Sequence, residues 1–535
     1  MKHERVPVLV VGGGYAGLSA AALLAWREVP VMLVERHAST SIQPKAFGLG
    51  PRAVELLRPI PGIEQELSAI WAGIGENMRI AIAKDLADPE PHMIISDEVS
   101  EMAFLADVTP AAYVGAPQAE IERVLRGKAE ELGADLRFST ELVSLEQDGD
   151  GVTARLRTPE GESVVRADYV VAADGYRSPL RRSLGVLTSG KGELGRTCSI
   201  MFDADLSGLV REREVTLWYL RNDVFTGVIL TGTGVGAHVL GVNLAEGESE
   251  AAFTPERCVE LVRVAARRPD LDVRVLDTTT FAMAHVLADS YRAGRVFFAG
   301  DAAHTMPPTG GQGGSTAIQD GCDIAWRLWL VLTGQAGPEF LDTYDAERRP
   351  IGTLTADAQL ANLGVRMPPA ARVGYPEPIE DPLGALIGQR YHSTAILDEP
   401  ADDGSIMEDP RVPNGRPGSR APHVVLDWEG QRISTADLFG TGFVLLADPQ
   451  GGQAWTEAGR LVKERLGVQL TRLVVDEELK DVNGCWRERY GVGGGGAVLV
   501  RPDGYVAWRS PGPELDPAGT LERVLRQLLN RPDPT

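Results

Sequence analysis

A short apolar run, Val6-Pro-Val-Leu-Val-Val11, passes directly into Gly12-Gly-Gly-Tyr-Ala-Gly17 and then into the Ala- and Leu-rich stretch Leu18 to Trp26. Strand, glycine turn and helix in that order constrain the fold more than anything else in the chain. Gly12 permits the tight turn, Gly14 lets a pyrophosphate approach the backbone, and Gly17, just after Ala16, lets helix and strand pack closely. The helix start then offers free N–H groups and a positive dipole end to an anion. A second apolar run, Val31 to Val34, ends in Glu35-Arg36, where a carboxylate can accept from ribose hydroxyls. The unit is β-α-β with parallel strands, and it predicts a Rossmann-type nucleotide-binding domain. Glu35 and Arg36 do not separate NAD from FAD, since both carry an adenosine ribose.

The chain has 535 residues, with 53 Lys plus Arg against 75 Asp plus Glu and a net charge of −22. Such an acidic chain without a basic stretch argues against nucleic acid and anionic membrane surfaces as partners. The length suggests about three domains. The N-terminus enters its first strand without a long apolar leader, and no stretch resembles a membrane span, so a cytoplasmic protein is expected. Cys198, Cys258, Cys322 and Cys485 are too far apart for a disulfide framework or a metal-ligand spacing.

Two more elements bear on the ligand. Val170-Val-Ala-Ala-Asp174-Gly175 places Asp-Gly at a strand end, where a carboxylate faces the nucleotide groove. Arg295 to Ala299 is a strand that meets Gly300-Asp301, then Pro307-Pro-Thr-Gly-Gly-Gln-Gly313-Gly314-Ser315 opens a long helix. A strand-end Asp can bind flavin ribityl hydroxyls, and N–H groups at a helix start stabilise negative charge on a reduced flavin. Between about 185 and 280, β-like segments alternate with Gly-rich turns and read as an inserted sheet domain. Pro- and Gly-rich text from Pro368 to Pro422 reads as extended connection, and strands alternate with a helix beyond it.

The three elements in this order resemble the single-component, class A flavoprotein aromatic hydroxylases of the p-hydroxybenzoate hydroxylase-like superfamily, over roughly residues 5 to 390. Pro307 to Gly321 looks like the aromatic polyketide hydroxylases among them, those of anthracycline biosynthesis in particular. The resemblance implies an α/β fold: a Rossmann-type FAD-binding domain (1–75, 117–184 and 281–390) with an inserted β-sheet-rich substrate domain (76–116 and 185–280). A linker (391–418) and a C-terminal thioredoxin-like domain (419–535) follow. That last domain lacks Cys-x-x-Cys, so a structural role is expected. The implied FAD site comprises Gly12, Gly14, Ala16, Gly17, Glu35, Arg36, Lys45, Gln118, Leu142, Asp174, Asp301, Gly313, Gly314 and Ser315. Asp174 is also implied in pyridine-nucleotide binding. Two departures stand out: Gly314-Ser315-Thr316-Ala317 where many relatives have Leu-Asn-Thr-Gly, and Lys45 where many have Arg, which keeps the charge but loses the planar fork.

The implied reaction uses FAD, NADPH as co-substrate and O2. A flavin C4a-hydroperoxide hydroxylates a polycyclic aromatic polyketide, such as the anthracyclinone aklavinone at C11. Alternatives are a flavin reductase, a hydroxylase of another phenol, or a noncatalytic flavin-binding protein; a halogenase signature is absent. A monomer or homodimer without metal is expected. Arg366 and Arg372 follow a helical segment that can return the chain over the pocket, and Arg372 is the expected hydrogen-bond donor to hydroperoxide or substrate. Among the aromatic residues of the inserted sheet, Phe202, Trp218, Tyr219, Phe225 and Phe281, Phe225 is the expected pocket residue.

Overall fold

The computed structural model describes residues 2–41, 46–74, 77–95, 103–211, 214–232, 238–367 and 372–531. Strand Lys2–Val11 sits near the middle of an eight-stranded sheet, parallel to Val31–Val34 on one side and to Gly161–Ala172 on the other. Val8, Leu9 and Val10 are fully buried, as expected of a parallel strand covered on both faces. Helix Tyr15–Trp26 crosses between the first two strands. It packs mainly against helix Gly313–Leu332, which is buried for most of its length. The close approach is built from small residues: a Cβ on Gly321 would lie 2.3 Å from the Ala16 carbonyl oxygen.

A second eight-stranded sheet runs in the order His304–Thr305, Arg274–Ala288, Thr188–Asp203, His238–Asn243, Thr226–Thr231, Glu214–Arg221, Asn77–Ala83, His92–Ile95. Its pairings are antiparallel except that between Glu214–Arg221 and Asn77–Ala83. Strand alternation gives this sheet two faces. Cys198, Ile200, Phe202, Trp218, Leu220, Ile229, Leu240 and Val242 pack on one face with helix Pro255–Ala266. Residues one step out of phase, among them Leu217, Tyr219, Val228, Leu230 and Val239, face a large cavity.

The C-terminal region has a four-stranded sheet, Leu470–Val474, Phe443–Ala447, Ala497–Val500, Val506–Ser510, flanked by helices Gly452–Leu466 and Pro517–Leu528. It docks on the first domain through buried charge. Arg420 donates to Glu55 at 2.8 Å and Arg501 donates to both oxygens of Glu347 at 2.7 and 2.8 Å. Tyr505 stacks on Tyr391 with ring centroids 4.1 Å apart. The text between 368 and 422 is not a free-running connection over its described part: it contains helix Pro382–Ile387, and the wholly buried Arg390 is held by Asp402 and Asp403. Pairing of Arg390 with acidic residues only a dozen positions away lets Pro-rich chain pack against the body.

Candidate active site

A cavity of about 1340 Å³ opens between the first domain and the second sheet. Its floor is the nucleotide motif. Gly12 has φ +113°, and a Cβ there would lie 2.1 Å from the Ala173 carbonyl oxygen. A Cβ on Gly17 would lie 1.9 Å from the carbonyl oxygen of Gly12. Gly17 therefore packs behind the cavity, while Gly12, Gly14 and Ala16 line it. Glu35 accepts from the Gly13 N–H at 2.8 Å and from His37, whose Nδ1 is 2.5 Å away. The turn is thereby fixed to the end of the next strand.

Helices Tyr15–Trp26 and Gly313–Leu332 both begin at this cavity, and neither start carries a side-chain cap. First-turn N–H groups need acceptors, so two uncapped helix ends beside Gly12 to Gly14 and Gly313–Gly314 fit a bound dinucleotide. Gly314 faces the ring of Tyr15; a Cβ there would lie 2.7 Å from Tyr15 Cε2. Glu35, Arg36, Gln118, Leu142, Asp174 and Asp301 also line the cavity. Gln118 is oriented by Glu122, which accepts from its Nε2 at 2.6 Å. Ser315 turns away: buried, its Oγ accepts from the Gly50 N–H at 2.9 Å, so it braces the helix start. Lys45 lies outside the described residues.

Asp174 does more than face the groove. It accepts from Ser178 Oγ at 2.7 Å and from the Leu180 N–H at 3.0 Å, fixing the start of helix Pro179–Ser183. Burial pushes its carboxyl above the usual range. The next arginine in that helix, Arg181, donates to the Ala302 carbonyl at 2.5 Å and so holds the turn that presents Asp301. The same turn is held from behind by Asp320, which accepts from the Gly300 N–H at 2.9 Å and meets His304 Nε2 at 2.6 Å. Burial works to raise the Asp320 carboxyl, but His304 and Arg348 outweigh it and hold it below its ordinary value. His304 thus belongs to the brace beneath the turn.

The roof is the second sheet. Tyr219 and Phe281 line the cavity. Phe225 corrects the expectation: it is buried in the core on the opposite face, with Phe202 and Trp218. Arg372 is also placed differently. Its guanidinium is exposed and spent on the carbonyls of Met367 and Val365, at 3.1 and 2.7 Å. Arg366, at the C-terminal end of helix Asp342–Val365, lines the cavity instead. It lies 4.6 Å over the Tyr219 ring and donates to the Thr309 carbonyl at 2.8 Å. Burial raises the Tyr219 hydroxyl above its ordinary pKa despite the opposing Arg366 charge, so it stays protonated.

The family of FAD-binding domains matches residues 5–359, and the family described as "Aromatic-ring hydroxylase, C-terminal" matches residues 414–532. The chain belongs to the FAD-dependent aromatic-ring hydroxylases. Within this family it is 41% identical to aklavinone 12-hydroxylase RdmE of Streptomyces purpurascens, over 99% of this chain and all of that one. It is also 41% identical to a 4-methyl-5-nitrocatechol 5-monooxygenase of a Burkholderia species, over 98% of each chain. A solved ternary complex of aklavinone-11 hydroxylase with FAD and aklavinone superposes with a TM-score of 0.93 at 40% identity, covering 99% of this chain and 100% of that chain. The chain is a flavin-dependent aromatic polyketide hydroxylase, close to the aklavinone hydroxylases. No described helix is long and apolar enough to cross a membrane.

Proposed function

We propose that this hydroxylase uses NADPH and O2 to place one oxygen on a fused-ring anthracyclinone such as aklavinone, with C11 as the favoured position. One observation carries the reading: a single cavity joins the dinucleotide floor to a largely apolar roof bearing Arg366 over Tyr219. FAD, when bound, supplies two-electron chemistry with O2, which no side chain can provide. Gly12, Gly14 and Ala16 hold its pyrophosphate side, Glu35 and Arg36 the adenosine ribose, and Asp301 the ribityl chain. The N–H groups at Gly313 and Gly314 stabilise negative charge on the ring. Ser315 and Gly17 act from behind.

The roof does the rest. Leu217, Val228, Leu230, Val239 and Phe281 exclude water from the reacting centre. The Arg366 cation favours the ionised form of a phenolic ring and donates hydrogen bonds to oxygen, and the protonated Tyr219 hydroxyl offers a second donor. A guanidinium does not give up its proton at neutral pH, so Arg366 stabilises charge and any proton moves through Tyr219 or water. Arg177 and Arg182 follow Asp174 closely in the chain and have no ion pair among the described residues. In a chain of net charge −22, they favour the approach of an anionic nicotinamide dinucleotide phosphate.

The test is aerobic incubation of purified protein, FAD and NADPH with aklavinone, with the product position read by NMR. Hydroxylation at C11 supports the full reading. Hydroxylation elsewhere overturns the position alone, and NADPH oxidation that yields only peroxide overturns the substrate.

A further inference from the structure

The cavity face of the second sheet is organised in rows across its strands. One row reads Thr279, Ser199, Gly241, Val228 and Tyr219, each opposite the next, and every member lines the cavity. Side chains shrink along the row from Tyr219 to none at Gly241, then grow again. Along its own strand, Gly241 is flanked on the same face by Val239 and Asn243. Val239 lines the cavity. Asn243 is pinned in a polar ladder, accepting from Thr197 Oγ1 at 3.0 Å and donating to Thr226 Oγ1 at 3.2 Å. The bare backbone at 241 is therefore the low point of the row, flanked by Ser199, Val228 and Val239.

The backbone itself does not require glycine there. Gly241 has no left-handed φ, and its register with Ser199 and Val228 is unbroken. The nearest atoms to a Cβ would be two methyls, Val228 Cγ1 at 3.1 Å and Thr197 Cγ2 at 3.2 Å. Gly227 on the neighbouring strand is different, since a Cβ there would lie 2.1 Å from the Gly241 carbonyl oxygen. Glycine inside a strand costs stability and marks a bulge, a bend or a close approach by backbone or ligand. Position 241 thus has no bulge, a Cβ there would press on two side-chain methyls rather than on backbone, and the open side of the residue is the cavity.

We propose that Gly241 sets the ring capacity of the site, its bare backbone receiving the face of a fused-ring substrate between Ser199 and Val228. Strands lie about 4.8 Å apart, so the flanking strands are separated by roughly 10 Å, the scale of several fused rings and beyond that of one. A side chain at 241 restricts the site to smaller phenols. This inference rests on the polyketide reading of the same cavity.

The test uses FAD-loaded protein and two probes, aklavinone and the single-ring 4-methyl-5-nitrocatechol. Their affinities are read from the perturbation of flavin absorbance, and their oxygenation by mass spectrometry. In Gly241→Ala, the aklavinone Kd rises on the order of ten- to a hundred-fold while that of the single-ring probe moves by less than about twofold. FAD content and melting temperature check the fold. If the 3.1 Å contact destabilises that variant, V228A/G241A compared with V228A carries the same test. Equal shifts for both probes, no shift for either, or a wild-type protein that does not bind aklavinone overturns the proposal. Wild-type protein that binds aklavinone with the G241A sensitivity but does not oxygenate it sinks the hydroxylase reading and leaves the role of Gly241 standing. Oxygenation that G241A leaves unchanged does the reverse.

Discussion

Arg501 and Glu347 meet in a fork-to-fork pair, at 2.7 and 2.8 Å, with neither side chain more than 1% exposed. One belongs to the C-terminal domain and the other to helix Asp342–Val365, whose end carries Arg366 to the cavity. Glu347 also holds Arg327, and Arg501 also holds Asp503. A domain without a thiol pair thus contributes rigidity to the element that positions Arg366.

Removing one side of that pair leaves an uncompensated buried charge. Glu347→Gln is expected to cost about 3–5 kcal/mol, and the paired exchange E347M/R501M to recover much of it. Thermal melts followed by circular dichroism and by flavin release measure both. A Glu347→Gln variant that melts with the wild type contradicts the brace.

Arg366 and Arg372 should separate cleanly. Loss of a charge-assisted hydrogen bond is worth about 1.5–3 kcal/mol, so Arg366→Met should lower kcat/KM on the order of ten- to a hundred-fold and divert NADPH oxidation to peroxide. Arg372→Met, whose guanidinium is exposed and holds only the backbone carbonyls of Met367 and Val365, should leave steady-state rates within about twofold. The peroxide-to-product ratio is the decisive readout.

At the floor, Glu35→Ala removes the acceptor that fixes the Gly13 N–H and the carboxylate facing the cavity. The FAD Kd of the apoprotein, measured by fluorescence titration, should rise on the order of ten- to a hundred-fold. Glu35→Gln, which keeps an acceptor oxygen, should fall between the two proteins.

Stability should depend on pH with two opposite signs. Burial works to raise the Glu55 carboxyl, but Arg420 and Arg52 prevail and bring it from 4.5 to about 2. Its support of domain docking is therefore complete above pH 4.5 and is lost as the pH falls toward 2. Asp323 behaves oppositely: burial, helped by the neighbouring Asp503 and Glu347 carboxylates, pushes it from 3.8 up to about 7 against the pull of Arg327. The folded chain then holds a proton that the unfolded chain releases, so this group lowers stability as pH rises from 3.8 to 7, with no further change above. Melting temperatures of the wild type and Asp323→Asn from pH 4.5 to 8 should diverge in slope below 7 and run parallel above it.

The nucleotide floor is legible because it is local: the residues that make the turn, Gly12 to Gly17, are contiguous, and Glu35 closes the next strand. The roof is not. Period-two alternation separates Trp218 from Tyr219, but it does not say which face meets the helix and which the cavity, and Phe225 falls on the helix side. Arg366 and Arg372 look alike in the sequence; the helix ending at Val365 aims one inward and leaves the other on the loop. The bracing roles of Arg181 and Asp320 are not legible, because the groups they hold, the Ala302 carbonyl and the Gly300 N–H, are backbone atoms brought to them only by the fold. The docking of the C-terminal domain was illegible for the same reason, since Glu55 and Arg420 meet across 365 residues.

The central claim is oxygen transfer from O2 to a fused aromatic ring. The most direct measurement is mass spectrometry of aklavinone after reaction under isotopically heavy O2 in ordinary water, with purified protein, FAD and NADPH. The account predicts a product carrying one heavy oxygen atom and formed in step with NADPH consumed. Recovery of unchanged aklavinone while NADPH is oxidised and heavy peroxide accumulates, or a product whose oxygen comes from water, would contradict it.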